Sequence, residues 1–154
     1  MKINKKYYIR RNLDSYSETE FAKLLEKEGY IVFYPFRDIG IDILAYKDGK
    51  VELYQLKARN EHRRRPNYYR FSIKKDIEKL SKYTNVFFVL CALQPDGKFD
   101  FFKLPIEKVK EYFKKKEETS KDSWLEIKRK KDEREYELMP QRLAKLFDIN
   151  DFLL

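Results

Sequence analysis

In the stretch GIDILAYKDGKVELYQLKAR, Gly40 to Arg59, a carboxylate, an amide and an ammonium recur at a spacing that could do chemistry: Asp42, then twelve residues, then Gln55-Leu56-Lys57. Side chains two apart on a strand share a face, so Gln55 and Lys57 project together at the end of the apolar row Val51 and Leu53. Asp48-Gly49 between the two runs is a strong signal for a tight hairpin turn. Pairing about that turn brings Asp42, at the start of one strand, beside Gln55 and Lys57 near the end of the next. Helix geometry supplies a fourth group: the preceding apolar face centres near Phe21 and Leu25, with Glu18 about 40° from that centre and Glu20 about 120° away. Glu18 therefore looks toward the sheet.

The set suits phosphodiester hydrolysis. Magnesium prefers oxygen ligands and keeps several waters, so Glu18, Asp42, the Gln55 side-chain oxygen and the Leu56 carbonyl could hold Mg²⁺, with Mn²⁺ as a substitute. Such a metal polarises phosphate and activates water, while Lys57 orients that water or neutralises charge on the phosphorus oxygens. The competing readings are a polar strand edge for Asp42, Gln55 and Lys57, and for Glu18 a helix N-terminal acid favoured by the dipole.

The elements that must position these groups can be read in order. Ser15 or Ser17 caps a helix with Phe21, Ala22, Leu24 and Leu25 at helical spacing, which Gly29 ends. YIVFYPF is a strand, followed by the hairpin strands IDILAY and KVELYQLK. A basic loop, 58–71, leads to a helix from Ser72 with Ile73, Ile77 and Leu80 inward, then to the apolar strand NVFFVLCAL. A crossover helix before an apolar strand implies a parallel neighbour. Beyond the Pro95-Asp96-Gly97 turn lie a strand KFDFFKL, a helix opened by Pro105 and running to about Phe113, and a solvated connector KKKEETSKDS. SWLEIK and REYELM form a second hairpin, and Pro140 opens a helix to about Phe147. The apolar tail FDINDFLL docks on the domain or on another subunit. The expected fold is α/β: one domain over 1–154, with a mixed central sheet flanked by helices and an extra C-terminal hairpin and helix.

Charged residues make up 40% of the chain and hydrophobic ones 42%, a core-forming sequence under a charged surface. The net charge of +9 is uneven: Lys2, Lys5, Lys6, Arg10 and Arg11 face no acid in the first eleven residues, and 58–75 carry seven Lys/Arg against Glu61 alone. Two basic arms imply a polyanion, nucleic acid ahead of a membrane surface. Lys5, Lys6, Arg10, Arg11, Arg59, Arg63, Arg64, Arg65 and Arg70 are the candidate phosphate contacts, with Tyr68 and Tyr69 as rings that could stack on bases. His62 and Asp38 read as loop and turn residues. The single Cys91, in an apolar run, fits a buried thiol in a reducing compartment, and no apolar run approaches a membrane span, so a cytoplasmic location is expected.

On GID (Gly40 to Asp42), QLK (Gln55 to Lys57), the hairpin between them and the preceding helix with Glu18, the chain resembles the PD-(D/E)XK nuclease superfamily. Order and spacing from Glu18 to Arg59 look like the archaeal Holliday junction resolvases. DIGID with Q-x-K instead resembles Mrr-type restriction nucleases and certain homing endonucleases of the same superfamily. The resemblance covers about residues 15–92. It implies a restriction-endonuclease-like core and a metal-dependent DNA endonuclease of restriction, homing or junction-resolving type, acting as a homodimer or higher oligomer. Where most members carry Glu, this chain has Gln55, an oxygen donor without charge. The reading from another class is therefore a nucleic-acid-binding protein that keeps the fold without the catalysis.

Overall fold

Residues 5–154, with side chains from Asn12 onward, are described by a computed structural model of the chain. Helix α1 spans Lys5–Lys27, so it begins well before the expected caps at Ser15 or Ser17. Neither serine caps it. Ser17 Oγ donates to the Asp14 carbonyl at 2.8 Å and Thr19 Oγ1 to that of Ser15 at 2.9 Å, the back-bonding of hydroxyls inside a helix. Leu13, Ser17, Phe21 and Leu25, four apart, form its buried stripe. The helix ends as predicted at Gly29, whose φ of +93° lets Tyr30 N–H reach the Leu25 carbonyl and Gly29 N–H that of Glu26.

Strands β1 (Ile31–Phe33), β2 (Ile43–Lys47) and β3 (Lys50–Arg59) form an antiparallel meander, with Ile43 opposite Tyr54 and Lys47 opposite Lys50. Asp48 and Gly49 both take positive φ, as a two-residue hairpin requires. The next segment departs from expectation: Tyr68–Ser72, expected within the basic loop, is strand β4, because Tyr69 and Phe71 alternate into the core. The helix predicted from Ser72 is a 3-10 turn (Lys74–Asp76) and one α-turn, α2 (Ile77–Leu80). Strand β5 (Val86–Leu93) then runs parallel to β3 and β6 (Phe99–Pro105) antiparallel to β5, giving a five-stranded mixed sheet ordered β1-β2-β3-β5-β6.

Helix α3 (Ile106–Lys116) follows Pro105 as expected. The hairpin β7 (Trp124–Arg129) and β8 (Tyr136–Met139) adds to β4, making a second sheet ordered β4-β7-β8. Tyr112 joins the layers: its hydroxyl accepts Glu126 N–H at 3.2 Å and donates to the Met139 carbonyl at 2.6 Å. The connector is not wholly solvated, since Lys116 is buried between Asp122 and the Trp124 carbonyl, each at 2.5 Å. The helix predicted from Pro140 is only a 3-10 turn, Gln141–Leu143. The apolar tail docks on its own domain: Ile149 is buried, Leu153 bridges to Phe102, and Leu154 N–H donates to the Phe101 carbonyl at 2.9 Å.

The central sheet separates two cores. Phe21 and Leu25 of α1 pack on Ile43, Tyr54, Leu56, Val89 and Cys91; on the other face Leu80, Val109 and Tyr112 pack on Phe88, Leu90 and Phe102. Phe21 meets Tyr54 edge-on at 5.1 Å and Phe101 at 5.4 Å, which fixes α1 against the hairpin. No described helix is long and apolar enough to cross a membrane.

Candidate active site

Strand β2 stops pairing at Ile43–Tyr54, while β3 runs on through Gln55 to Arg59. Asp42 sits where the two part. Its N–H donates to the Tyr54 carbonyl at 2.8 Å, and its Oδ2 accepts Leu56 N–H at 2.7 Å. The carboxylate is thus latched to the edge that β2 has just vacated. Because N–H and C=O of one strand residue leave the same edge, the Leu56 carbonyl faces Asp42 too. Asp38 is the turn residue the sequence suggested: its Oδ1 accepts Gly40 N–H at 3.1 Å, and Gly40 has φ +80°.

A pocket of about 220 Å³ opens at this edge. Its lining includes Glu18, Asp42, Gln55, Leu56 and Lys57, so the residues selected from the sequence converge. The approach is from two sides. Tyr54 and Leu56 pack under α1, which places Gln55 and Lys57 on the opposite sheet face, and Glu18 reaches the free edge of β3 from the α1 side. Glu20 instead pairs with Lys23 at 3.1 Å.

Asp14, Ser17 and Arg59 complete the lining. Asp14 lies four residues before Glu18, one helical turn away on the same side. That spacing is visible in the sequence, and a helix started at Ser15 hides it. Asp76 was also missed: its Oδ2 stands 3.3 Å from Lys57 Nζ, with both side chains largely buried. Asp76 comes from the 3-10 turn before α2, a contact that no local spacing encodes.

The electrostatics are those of crowded acids. Burial raises the Asp42 pKa, and Asp14 and Asp38 add to the rise, while the Leu56 N–H and the Lys57 charge oppose it. Burial likewise raises Glu18, with the charges of Asp42 and Asp14 adding. Half-buried carboxylates that resist ionising together suit a hard divalent cation, which would relieve both effects. Among the described residues no three acidic, imidazole or thiolate groups close on one point, so Gln55 Oε1 and the Leu56 carbonyl would have to complete the donor set. The residues present fit that requirement.

The polyanion contacts read from the sequence divide. Arg63, Arg64 and Arg65 are exposed on a loop closed by His62 N–H to the Tyr68 carbonyl at 2.7 Å, and Arg65 lies over the Tyr68 ring. Arg59 lines the pocket and donates to the Ala58 carbonyl. Tyr68 and Tyr69 are corrections: both are buried, with Tyr68 donating to Glu126 at 2.6 Å and Tyr69 to the Leu93 carbonyl at 3.0 Å, so neither ring offers a stacking surface. Arg70 is paired with Glu126 at 2.8 Å. The side chains of Lys5, Lys6, Arg10 and Arg11 lie outside the described residues.

No family profile matches the chain. Over 70 residues it is 33% identical to the crossover junction endodeoxyribonuclease Hjc of Methanocaldococcus jannaschii, a match covering 46% of this chain and 48% of that protein. The chain therefore spans about half the length of this curated relative. A solved structure, that of Archaeoglobus fulgidus Hjc, described as a Holliday junction resolvase, superposes with a TM-score of 0.47 at 14% identity, covering 87% of this chain and 89% of that one. The sequence match bears out the resemblance to the archaeal Holliday junction resolvases read from the sequence.

Proposed function

We propose that this relative of the archaeal junction resolvases is a metal-dependent DNA endonuclease of the junction-resolving type. The observation that carries the reading is the convergence of Glu18, Asp42, Gln55, Leu56 and Lys57 on one pocket at the parting of β2 and β3. Glu18, Asp42, the Gln55 amide oxygen and the Leu56 carbonyl would hold Mg²⁺ or Mn²⁺, which supplies Lewis-acid polarisation of phosphate and an acidified water. The Leu56 N–H fixes the Asp42 carboxylate. Lys57, steadied from behind by Asp76, presents its ammonium to the phosphate oxygens as charge builds on them. Arg63 to Arg65 hold the backbone on either side by phosphate contacts that carry no sequence information.

Paired cuts need two sites, and one copy of this chain carries one. The face of β1, β2 and β3 turned away from α1 supports a homodimer. Ile31, Tyr46 and Val51 are cross-strand neighbours in one row there, and with Phe33 they are all exposed. At about half exposure each, the four present on the order of 400 Å² of apolar surface, comparable to the apolar part of one side of a standard interface. A second copy offers the same patch in return, which a two-fold axis requires.

Gln55 favours one other reading, DNA binding without cleavage, because it brings no charge to the metal. Labelled four-way junction, linear duplex and single strand, each with Mg²⁺, Mn²⁺ or EDTA, separate the two. Metal-dependent cuts in the junction that vanish with Lys57→Ala support the nuclease. Tight binding of all three with no cut under either metal supports the second reading and sinks the first.

A further inference from the structure

Phe36 is 99% exposed, the most exposed of the large hydrophobic side chains described. A chain that buries Phe21, Phe71, Phe88 and Phe102 completely leaves this ring in water, where it gains nothing from its own fold. The loop bearing it is held at both ends. Phe33 pairs with Leu44 before it, and after it Asp38 accepts Gly40 N–H and Asp42 is latched to Leu56. Five residues lie between Phe36 and Asp42, so the ring's backbone is within about 22 Å of the pocket. Arg37, also exposed, stands beside it.

We infer that Phe36 is an apolar wedge that enters the base stack of DNA held in the pocket, next to the cut. The inference rests on the nuclease reading and extends it to substrate choice. An unburied ring beside a cation, on a loop anchored at both ends, is suited to insertion between bases, where apolar side chains part a step and kink the duplex. Unstacking costs least where a step is already open, so the wedge favours branched DNA over continuous duplex. The ring is proposed for DNA and not for the second copy because its loop leads directly into Asp42, whereas the apolar row of Ile31, Tyr46 and Val51 lies on the strands.

The test is 2-aminopurine placed singly at each step within about six of the branch, the reach of the loop at about 3.4 Å per step, in four-way junctions and matched duplexes, with EDTA to prevent cutting. Wild-type protein is expected to raise the fluorescence severalfold at one or two junction steps. Phe36→Ala is expected to abolish that rise and reduce the affinity ratio of junction to duplex about tenfold, with unchanged thermal stability because the ring is unburied. An undiminished signal with Phe36→Ala, or wild-type binding without any rise, overturns the wedge and leaves the nuclease reading intact. Failure of the wild type to bind DNA overturns both. Dissociation of a wild-type dimer to monomer by Phe36→Ala would make the ring a subunit contact and likewise overturn the wedge.

Discussion

Replacing Asp42 by Asn separates what this carboxylate does for the fold from what it does for a metal. The amide keeps an oxygen for the Leu56 N–H, which lies 2.7 Å from Oδ2, and removes the charge that repels Glu18 and Asp14. The sign of the pH effect follows. Burial raises the Asp42 pKa, so the folded state binds its proton more tightly than the unfolded chain does. That stabilisation is complete below the ordinary carboxylate pKa of about 4 and is lost as pH rises through the higher folded value. Without metal, Asp42→Asn should therefore gain melting temperature relative to wild type between pH 4 and pH 7. If Asp42 holds the metal as proposed, added metal should reverse the order. Ligand at ten times its dissociation constant stabilises a one-site protein by about 1.4 kcal/mol, which for a chain of this size is a rise of about 3–6 °C. Wild type should show that rise at pH 7 with millimolar Mg²⁺ or Mn²⁺, and Asp42→Asn less than about 1 °C. Thermal melts at three pH values, with each metal and with EDTA, test both parts. An equal metal-induced rise in the variant, or a metal-free variant melting more than about 4 °C below wild type at pH 7, would refute the reasoning.

Gln55→Glu adds a charge to the proposed donor set; the metal-induced rise should be reached at roughly tenfold lower metal concentration, a gain of about 1.4 kcal/mol, while the metal-free protein melts lower. Arg63, Arg64 and Arg65 changed together to Ala should weaken junction and duplex alike and flatten the plot of log affinity against log salt by about 2–3, as measured by fluorescence anisotropy from 50 to 300 mM salt, roughly 0.9 for each phosphate no longer neutralised. Phe21→Ala removes a fully buried ring that packs on both Tyr54 and Phe101, and chemical denaturation should report a loss of about 3–5 kcal/mol.

The hairpin and the meeting of Asp42, Gln55 and Lys57 on it were legible because both depend on short-range rules. Asp48-Gly49 sets the register, and the register sets Asp42 against Tyr54 and Leu56. Glu18 was legible from helical phase alone. What escaped depends on contacts across the chain. Tyr68 to Ser72 sits beside a run of arginines and looks like loop until β7 is there to pair with it. Asp76 faces Lys57 only once the 3-10 turn that carries it has packed beside β3. Lys116 appears solvated in sequence because nothing near it predicts that Asp122 and the Trp124 carbonyl fold over its ammonium. The early start of α1 lies in a stretch whose charge suggested an extended arm, and the misplaced start concealed Asp14.

The docking of the last residues has a consequence for solubility. Strand β6 is the outer strand of the central sheet, and its outward backbone groups would otherwise be a template for strand addition by another molecule. Leu153 and Leu154 occupy part of that row, with the Leu154 N–H on the Phe101 carbonyl and the bridge to Phe102. The tail thus acts as a guard against self-assembly as well as a piece of core. Removing residues 149–154 should leave the pocket's own elements in place and convert a dispersed protein into one that associates edge to edge on concentration, a change that light scattering would register.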